Sequence, residues 1–260
     1  MKSYIPNTIT LLNLFCGIAA LINILDGRFI TAFWFLFAAG LFDFADGLVA
    51  RMLNVSSEHG KELDSLADMV SFGVVPATIY YVLLTVTYYV PAANGDLLMS
   101  GWAEKTILGD ATALVIPSIS WSWVAAPALL IALFSCLRLA KFNLDTRQTE
   151  NFVGVATPTS TLYATGLMLI FATNPHGWAE YVVSPYVLYP SILLFSYLLV
   201  SEHPMFSFKL KGLGWAGNET RIIFAALAVA CLVFLQTAAF PFIVAIYLIL
   251  NLVAPPKTSA

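Results

Sequence analysis

Charge is scarce in this chain. Of its 260 residues only 10% are charged and 60% are hydrophobic, and the mean hydropathy is +0.84. A soluble domain of this length carries roughly 25% charged residues to cover its surface, so a water-soluble globule is excluded. Cysteine is almost absent. The three present, Cys16, Cys136 and Cys231, lie within apolar runs and form no C-x-x-C pair. That excludes a disulfide framework and a zinc site and leaves buried, inert thiols. Histidine is equally sparse, and His59, His176 and His203 lack metal-ligand spacing. There is no internal repeat, no low-complexity tract, no soluble extramembrane domain and no feature addressed to nucleic acid.

What is present is a series of long uncharged runs: 3–25, 69–95, 111–137, 151–179 and 181–201. At about 1.5 Å per residue each can cross a hydrocarbon core. The first follows a lone Lys2 and is too long for a signal-peptide core, so it reads as a retained span. A further uncharged stretch, 222–256, is too long for one helix, and Gln236 and Pro241 point to a hairpin within it. The expected fold is an all-α polytopic bundle of about eight spans, near 5–25, 29–51, 61–90, 119–141, 157–174, 182–201, 221–236 and 237–254. The whole chain, 1–260, reads as a single membrane domain with a core at about 5–201 and an added hairpin at about 221–254.

Placement of the cations sets the orientation. With the N-terminus cytoplasmic, Lys2, Arg51, Lys61, Arg138, Lys141, Arg147, Lys209, Lys211, Arg221 and Lys257 fall inside, and only Arg28 and Lys105 fall outside. The C-terminus is then cytoplasmic as well. Trp102, Trp121, Trp123 and Trp178 gather at the outer interface, where the loop at about 91–118 reads as interfacial.

One stretch departs from this apolar background. Asp43 and Asp46 stand three residues apart on the second predicted helix, and Asp64 and Asp68 stand four apart on the third. Each pair therefore faces one side of its helix. Asp43 precedes Arg51 by eight residues and Asp68 follows Gly60 by eight, so antiparallel neighbours bring all four carboxylates to a similar depth. An ionised carboxylate inside a span costs about 2.5–3.5 kcal/mol. Arg51 and Lys61 cannot neutralise four. Either some are protonated, or a hard divalent cation such as Mg²⁺, Mn²⁺ or Ca²⁺ holds them. Gly47, Ala50 and Gly60 leave room on the same faces for a flat group, and Arg51 is placed to meet a phosphate. A polar cluster or an ion pathway is the alternative reading of intramembrane acids.

The full pattern, D-x2-D-G-x2-A-R-x8-G-x3-D-x3-D from Asp43 to Asp68, resembles the signature of the CDP-alcohol phosphatidyltransferase family at every fixed position. The resemblance implies that Asp43, Asp46, Asp64 and Asp68 bind a divalent pair, Mg²⁺ or Mn²⁺, that holds the diphosphate of a CDP-lipid. It further implies that Asp68 is the base that takes the acceptor's proton, and that the protein works as a homodimer.

Four further segments look like the phosphatidylserine synthase branch of that family. Ile5-Pro6-Asn7-x2-Thr10-x2-Asn13-x3-Gly17 places a polar stripe on an otherwise apolar helix. The stripe either faces the metal site or caps and cross-links helices. Arg138-Leu-Ala-Lys141-Phe-Asn143 resembles the branch's R-L-A-R-F-N, with lysine in place of the second arginine. Its two cations hold a carboxylate or phosphate, or else anchor a helix end by snorkelling. Phe152-x-Gly154-Val-Ala-Thr157-Pro158 matches a proline-containing motif that lacks its first proline here, and Pro158 also reads as a helix-opening residue. His203-Pro204-Met205-Phe206-Ser207-Phe208-Lys209 matches a P-x-x-S-x-K run, whose Lys209, with Lys211, meets substrate phosphate or anionic headgroups.

The expectation is an enzyme of the cell membrane with its site facing the cytoplasm, moving a phosphatidyl group from CDP-diacylglycerol to L-serine among membrane lipids. Asn7, Thr10, Asp46, Gly47, Ala50, Arg51 and Gly60 are the expected CDP-lipid contacts, and Asn13, Arg138, Lys141 and Asn143 the expected serine contacts. Glycerol 3-phosphate or an inositol phosphate as acceptor, or a cation transporter using the four aspartates, are the alternatives.

Overall fold

A computed structural model describes residues 4–55, 57–89, 121–144, 152–206 and 218–253. The interfacial reading of 91–118 and the roles of Arg147, Lys209 and Lys211 lie outside these residues. The described residues are overwhelmingly helical. Among them, five helical segments are long and apolar enough to cross a membrane: Tyr4–Leu25, Phe29–Met52, Glu58–Tyr88, Ala126–Leu144 and Glu219–Val253. A polytopic helical membrane fold follows.

Helices α1 (Tyr4–Leu25) and α2 (Phe29–Met52) are joined by a tight turn at Gly27, whose φ of 73° is open to a residue without Cβ, and they pack along their lengths. Ser57 opens α3 (Glu58–Asp68) as an N-cap, its side chain accepting from the Gly60 N–H at 3.0 Å. Beyond Asp68 the helix widens into a π-helical segment, Met69–Val74, before α4 (Val75–Tyr89) continues the span. Pro76, four residues on, has no N–H to give the Phe72 carbonyl, and Thr161 Oγ1 donates to it at 3.1 Å.

A 3₁₀ turn (Ala126–Leu129) leads into α5 (Leu130–Leu144). Helix α6 (Thr157–Thr173) is the central column, buried along most of its length and packed on α2, α4 and the π segment. Pro158 does lie in its first turn, and Asn174 closes it in the left-handed region. A short α7 (Ala179–Val182) and α8 (Pro185–Val200), capped by Ser184, follow.

The expected hairpin is formed by α9 (Glu219–Leu235) and α10 (Ala239–Val253). The break falls at Gln236, with φ 49° and ψ −118°, while Pro241 lies inside α10. There Pro241 seats against Gly166 of α6, where a Cβ would stand 2.4 Å from the proline Cδ. No residue of α9 is buried, whereas α10 buries Val244, Tyr247 and Asn251.

One departure from a purely helical chain is a two-residue antiparallel ribbon, β1 (Phe152–Val153) with β2 (Pro204–Met205), which pairs Phe152 with Met205. Gly154 continues β1 with φ 75°, pressed against the last carbonyls of α8, and a Cβ there would lie 2.7 Å from Ser201 O. The ribbon forms because loops at the ends of two helices run side by side, a pairing without a local signal in either strand.

Candidate active site

The start of α1, the end of α2, the start of α3 and the end of α5 meet at one end of the bundle. Lys61 Nζ reaches the Asn143 carbonyl at 2.7 Å, and Asn143 Nδ2 donates to Ser65 Oγ at 2.9 Å. Spacings of three and four residues bring the predicted acids onto facing surfaces there. One oxygen each of Asp43, Asp64 and Asp68 lies within 4.8 Å of the others. Asp46 stands beside this trio, buried, its Oδ2 accepting a 2.6 Å hydrogen bond from Thr10 Oγ1. Asn13, fully buried, donates through Nδ2 to Asp68 Oδ1 at 3.2 Å. Two members of the polar stripe on α1 therefore address two aspartates, which favours the site-facing reading of that stripe.

The electrostatics are one-sided. Among the described residues, none of the four carboxylates forms an ion pair. Asp64 Oδ1 is buried with no hydrogen-bond donor. Buried acceptors without donors are uncommon because each costs about 1–3 kcal/mol. Convergent hard oxygens with an unfilled coordination position fit a divalent cation, so Asp43, Asp64 and Asp68 are a fitting set of ligands and Asp46 lies next to them.

Beside the aspartates opens a cleft of about 540 Å³ between α1, α2 and α3. Asn7, Thr10, Asp46, Gly47, Ala50 and Gly60 all line it. The remaining expected CDP-lipid residue, Arg51, folds back along α2, its Nε donating to the Gly47 carbonyl at 2.9 Å, and is exposed rather than lining the cleft. The glycines differ in what surrounds them. A Cβ at Gly47 would meet only the Arg51 guanidinium at 3.9 Å, so this face is open space, while at Gly60 it would lie 3.1 Å from Ser57 Oγ and 3.3 Å from Asn7 Oδ1.

The expected acceptor residues divide. Arg138 is 8% exposed, within electrostatic reach of Asp68, and stacks over Phe142 at 5.5 Å. Its Nε donates to the Val155 carbonyl at 2.6 Å, and its terminal nitrogens hold no hydrogen bond among the described residues. Lys141, by contrast, pairs with Glu202 at 2.9 Å, its side chain 44% exposed. Asn143 is engaged with Ser65 and Lys61, on the α3 side of the site.

Sequence reasoning missed Ser71. It is fully buried, donates to the Asn13 carbonyl at 3.2 Å, and packs so closely on Gly17 that a Cβ there would stand 2.3 Å from Ser71 Oγ. Its place three residues after Asp68 was the available signal.

A helical membrane protein whose bundle end gathers carboxylates without ion-pair partners beside a cleft with bare-backbone walls has a membrane-embedded site able to hold a divalent cation. Comparison with known proteins narrows the class. The sequence model of the CDP-alcohol phosphatidyltransferase family matches residues 3–201, and the chain belongs to this family of transferases. It is similar to the CDP-diacylglycerol–serine O-phosphatidyltransferase of Bacillus subtilis, 31% identical over 173 residues, covering 66% of this chain and 78% of that protein. A Mycobacterium bovis protein of the same name is 31% identical over 201 residues, 74% of this chain and 59% of that one. A Saccharomyces cerevisiae protein of that name is 43% identical over 89 residues, 31% and 32% of the two chains. The chain thus spans well over two thirds of the Bacillus relative but under two thirds of the other two.

Proposed function

We propose that this protein transfers the phosphatidyl group of CDP-diacylglycerol to the hydroxyl of L-serine, releasing CMP and forming phosphatidylserine. The observation that carries the reading is the convergence of Asp43, Asp64 and Asp68 beside a cleft lined by the cytidine-side residues of the family signature. Relatives named for this reaction support serine as the acceptor. So does Arg138, a buried cation with uncommitted N–H groups near Asp68, suited to a carboxylate.

In this reading Asn7, Gly47, Ala50 and Gly60 accept the nucleotide in the cleft, with Arg51 at its rim. Thr10 orients Asp46, and Asn13 orients Asp68. Asp68 takes the proton of the serine hydroxyl; that oxygen attacks the lipid-proximal phosphorus, and the phosphorus–oxygen bond to CMP breaks. Mg²⁺ or Mn²⁺, two ions held by the four aspartates, would neutralise charge on the diphosphate and on the departing CMP. Arg138 takes the serine carboxylate, while Lys141, tied to Glu202, serves the helix end.

The proposal extends to one membrane domain of eight spans, 1–260, acting as a homodimer in the cell membrane. Both termini and the site face the cytoplasm, where the cations concentrate, and the lipid tails enter sideways from the inner leaflet.

The test is CMP release by purified protein from CDP-diacylglycerol with serine, glycerol 3-phosphate or inositol phosphate. Serine alone is expected to work, chelation to abolish release, and Mg²⁺ or Mn²⁺ to restore it. Asp68→Asn and Asp64→Asn are expected to lower kcat by about 10²-fold or more. Release with glycerol 3-phosphate but not serine would overturn the acceptor, and full release by both variants would overturn the site.

A further inference from the structure

Residues 219–253 lie beyond 201, where the family match ends, yet their side chains reach the neighbourhood of the acceptor cation. On α10, Asn251 and Tyr247 are 5% and 6% exposed, and both are aimed at the backbone of Phe206. Asn251 Oδ1 accepts from the Phe206 N–H at 2.7 Å, and Tyr247 Oη donates to the Phe206 carbonyl at 3.2 Å. A third bond, Asn251 Nδ2 to the Tyr247 carbonyl at 2.7 Å, fixes the amide so that its oxygen must face Phe206. The rings of Phe206, Phe224 and Tyr247 close the cluster with edge-on contacts at centroid distances of 4.9, 5.9 and 6.0 Å.

Phe206 directly follows β2, and β2 holds β1. The ribbon extends through the Gly154 N–H to the His203 carbonyl at 2.9 Å, and the Val155 N–H reaches Leu198 at 3.1 Å. The carbonyl of that same Val155 receives Arg138 Nε. An unbroken path of hydrogen bonds and backbone therefore runs from α10 through Phe206 and the ribbon to the guanidinium. Tyr247 itself lies within electrostatic reach of Arg138. An added hairpin that served only to fill the membrane would have no need of a buried asparagine at this depth, since a polar side chain there is tolerated only when satisfied.

We propose that the C-terminal hairpin is part of the acceptor pocket's scaffold, with Asn251 and Tyr247 as positioning residues that set Arg138 through the Phe206–Val155 path. The inference rests on the reading of Arg138 as the partner of the serine carboxylate.

Asn251→Ala removes the amide oxygen that accepts from the Phe206 N–H and loosens the ribbon. In the full-length protein it is expected to raise the KM for serine about tenfold while the KM for CDP-diacylglycerol stays within about twofold. Tyr247→Phe, which keeps the ring contacts, is expected to raise it about threefold. In an Arg138→Lys background Asn251→Ala is expected to add less than about twofold, because the group it positions is already altered. Amide exchange at 154–155 should quicken about tenfold in Asn251→Ala, with 57–68 unchanged. Equal rises in both KM values, or full additivity with Arg138→Lys, would overturn the positioning role. The exchange measurement needs no substrate, so unchanged exchange overturns the clamp whatever the acceptor. A wild-type chain that releases no CMP with serine overturns the reading of Arg138 instead, and exchange then decides the clamp.

Discussion

Replacing Gly17 with alanine drives a methyl group into the π segment that follows Asp68. The new Cβ would stand 2.3 Å from Ser71 Oγ, 3.0 Å from Ser71 Cα and 3.1 Å from Ser71 Cβ. The hydroxyl can rotate away, at the cost of its hydrogen bond to the Asn13 carbonyl, but the Cα cannot. Restoring an ordinary carbon–carbon separation requires the two helices to part by about 0.5 Å or more. Overpacking of this kind costs about 1–3 kcal/mol, and the lost hydrogen bond about 1 kcal/mol more. Gly17 lies one turn beyond Asn13 and Ser71 three residues beyond Asp68, so the strain acts on the Asn13–Asp68 contact. Because misplacement of a reacting group by about 1 Å costs about 10²-fold, a half-ångström displacement should lower kcat by about tenfold. The assay is CMP release together with thermal unfolding in detergent. Ser71→Gly removes the Oγ and Cβ obstacles but leaves the Cα, so the double variant should recover activity in part. A Gly17→Ala protein with kcat within twofold of wild type and an unchanged Tm would refute the reasoning.

Thr10→Val removes the 2.6 Å donor to Asp46 at nearly constant volume and should lower kcat/KM for the CDP-lipid about tenfold or more, with Thr10→Ser restoring it; steady-state kinetics decide. Gly47→Ala meets open space, so it should leave the Tm unchanged while raising the KM for the CDP-lipid about tenfold; an unaffected KM would mean the nucleotide does not approach that backbone. Gly60→Ala, facing side-chain ends that can shift, should cost only a few-fold in the same assay. Lys141→Ala, which breaks an exposed pair with Glu202, should change stability by less than about 1 kcal/mol and leave the KM for serine within twofold, whereas Arg138→Ala should raise that KM by about 10²-fold.

Much of the fold was legible because its signals are local. Uncharged runs set the spans, Pro158 announced a helix start, and Gln236 marked the break between α9 and α10, whereas the Ser57 cap, which starts α3 ahead of the expected residue 61, went unread. The turn was misjudged only at Pro241, which belongs to α10 because a proline in a first turn forfeits no hydrogen bond, and Gly166 of α6 leaves it a seat. The π segment was legible only in part: Pro76, two residues past it, has no N–H for the Phe72 carbonyl and so marks a disturbed turn, while the hydroxyl that meets that carbonyl, Thr161, lies far along the chain.

The site divides in the same way. The i, i+3 and i, i+4 spacings by themselves determined that Asp43 and Asp46 share one face of α2 and Asp64 and Asp68 one face of α3, since helical periodicity orients side chains wherever the helix ends up. Only the tertiary structure decided which neighbours those acids have. Thr10 chose Asp46 and Asn13 chose Asp68, Lys141 went to Glu202, and Arg138 went to the Val155 carbonyl. Partner choice depends on the depth and rotation of one helix against another, and those are set by contacts such as Gly17 on Ser71 and Gly166 on Pro241 between residues distant in the chain.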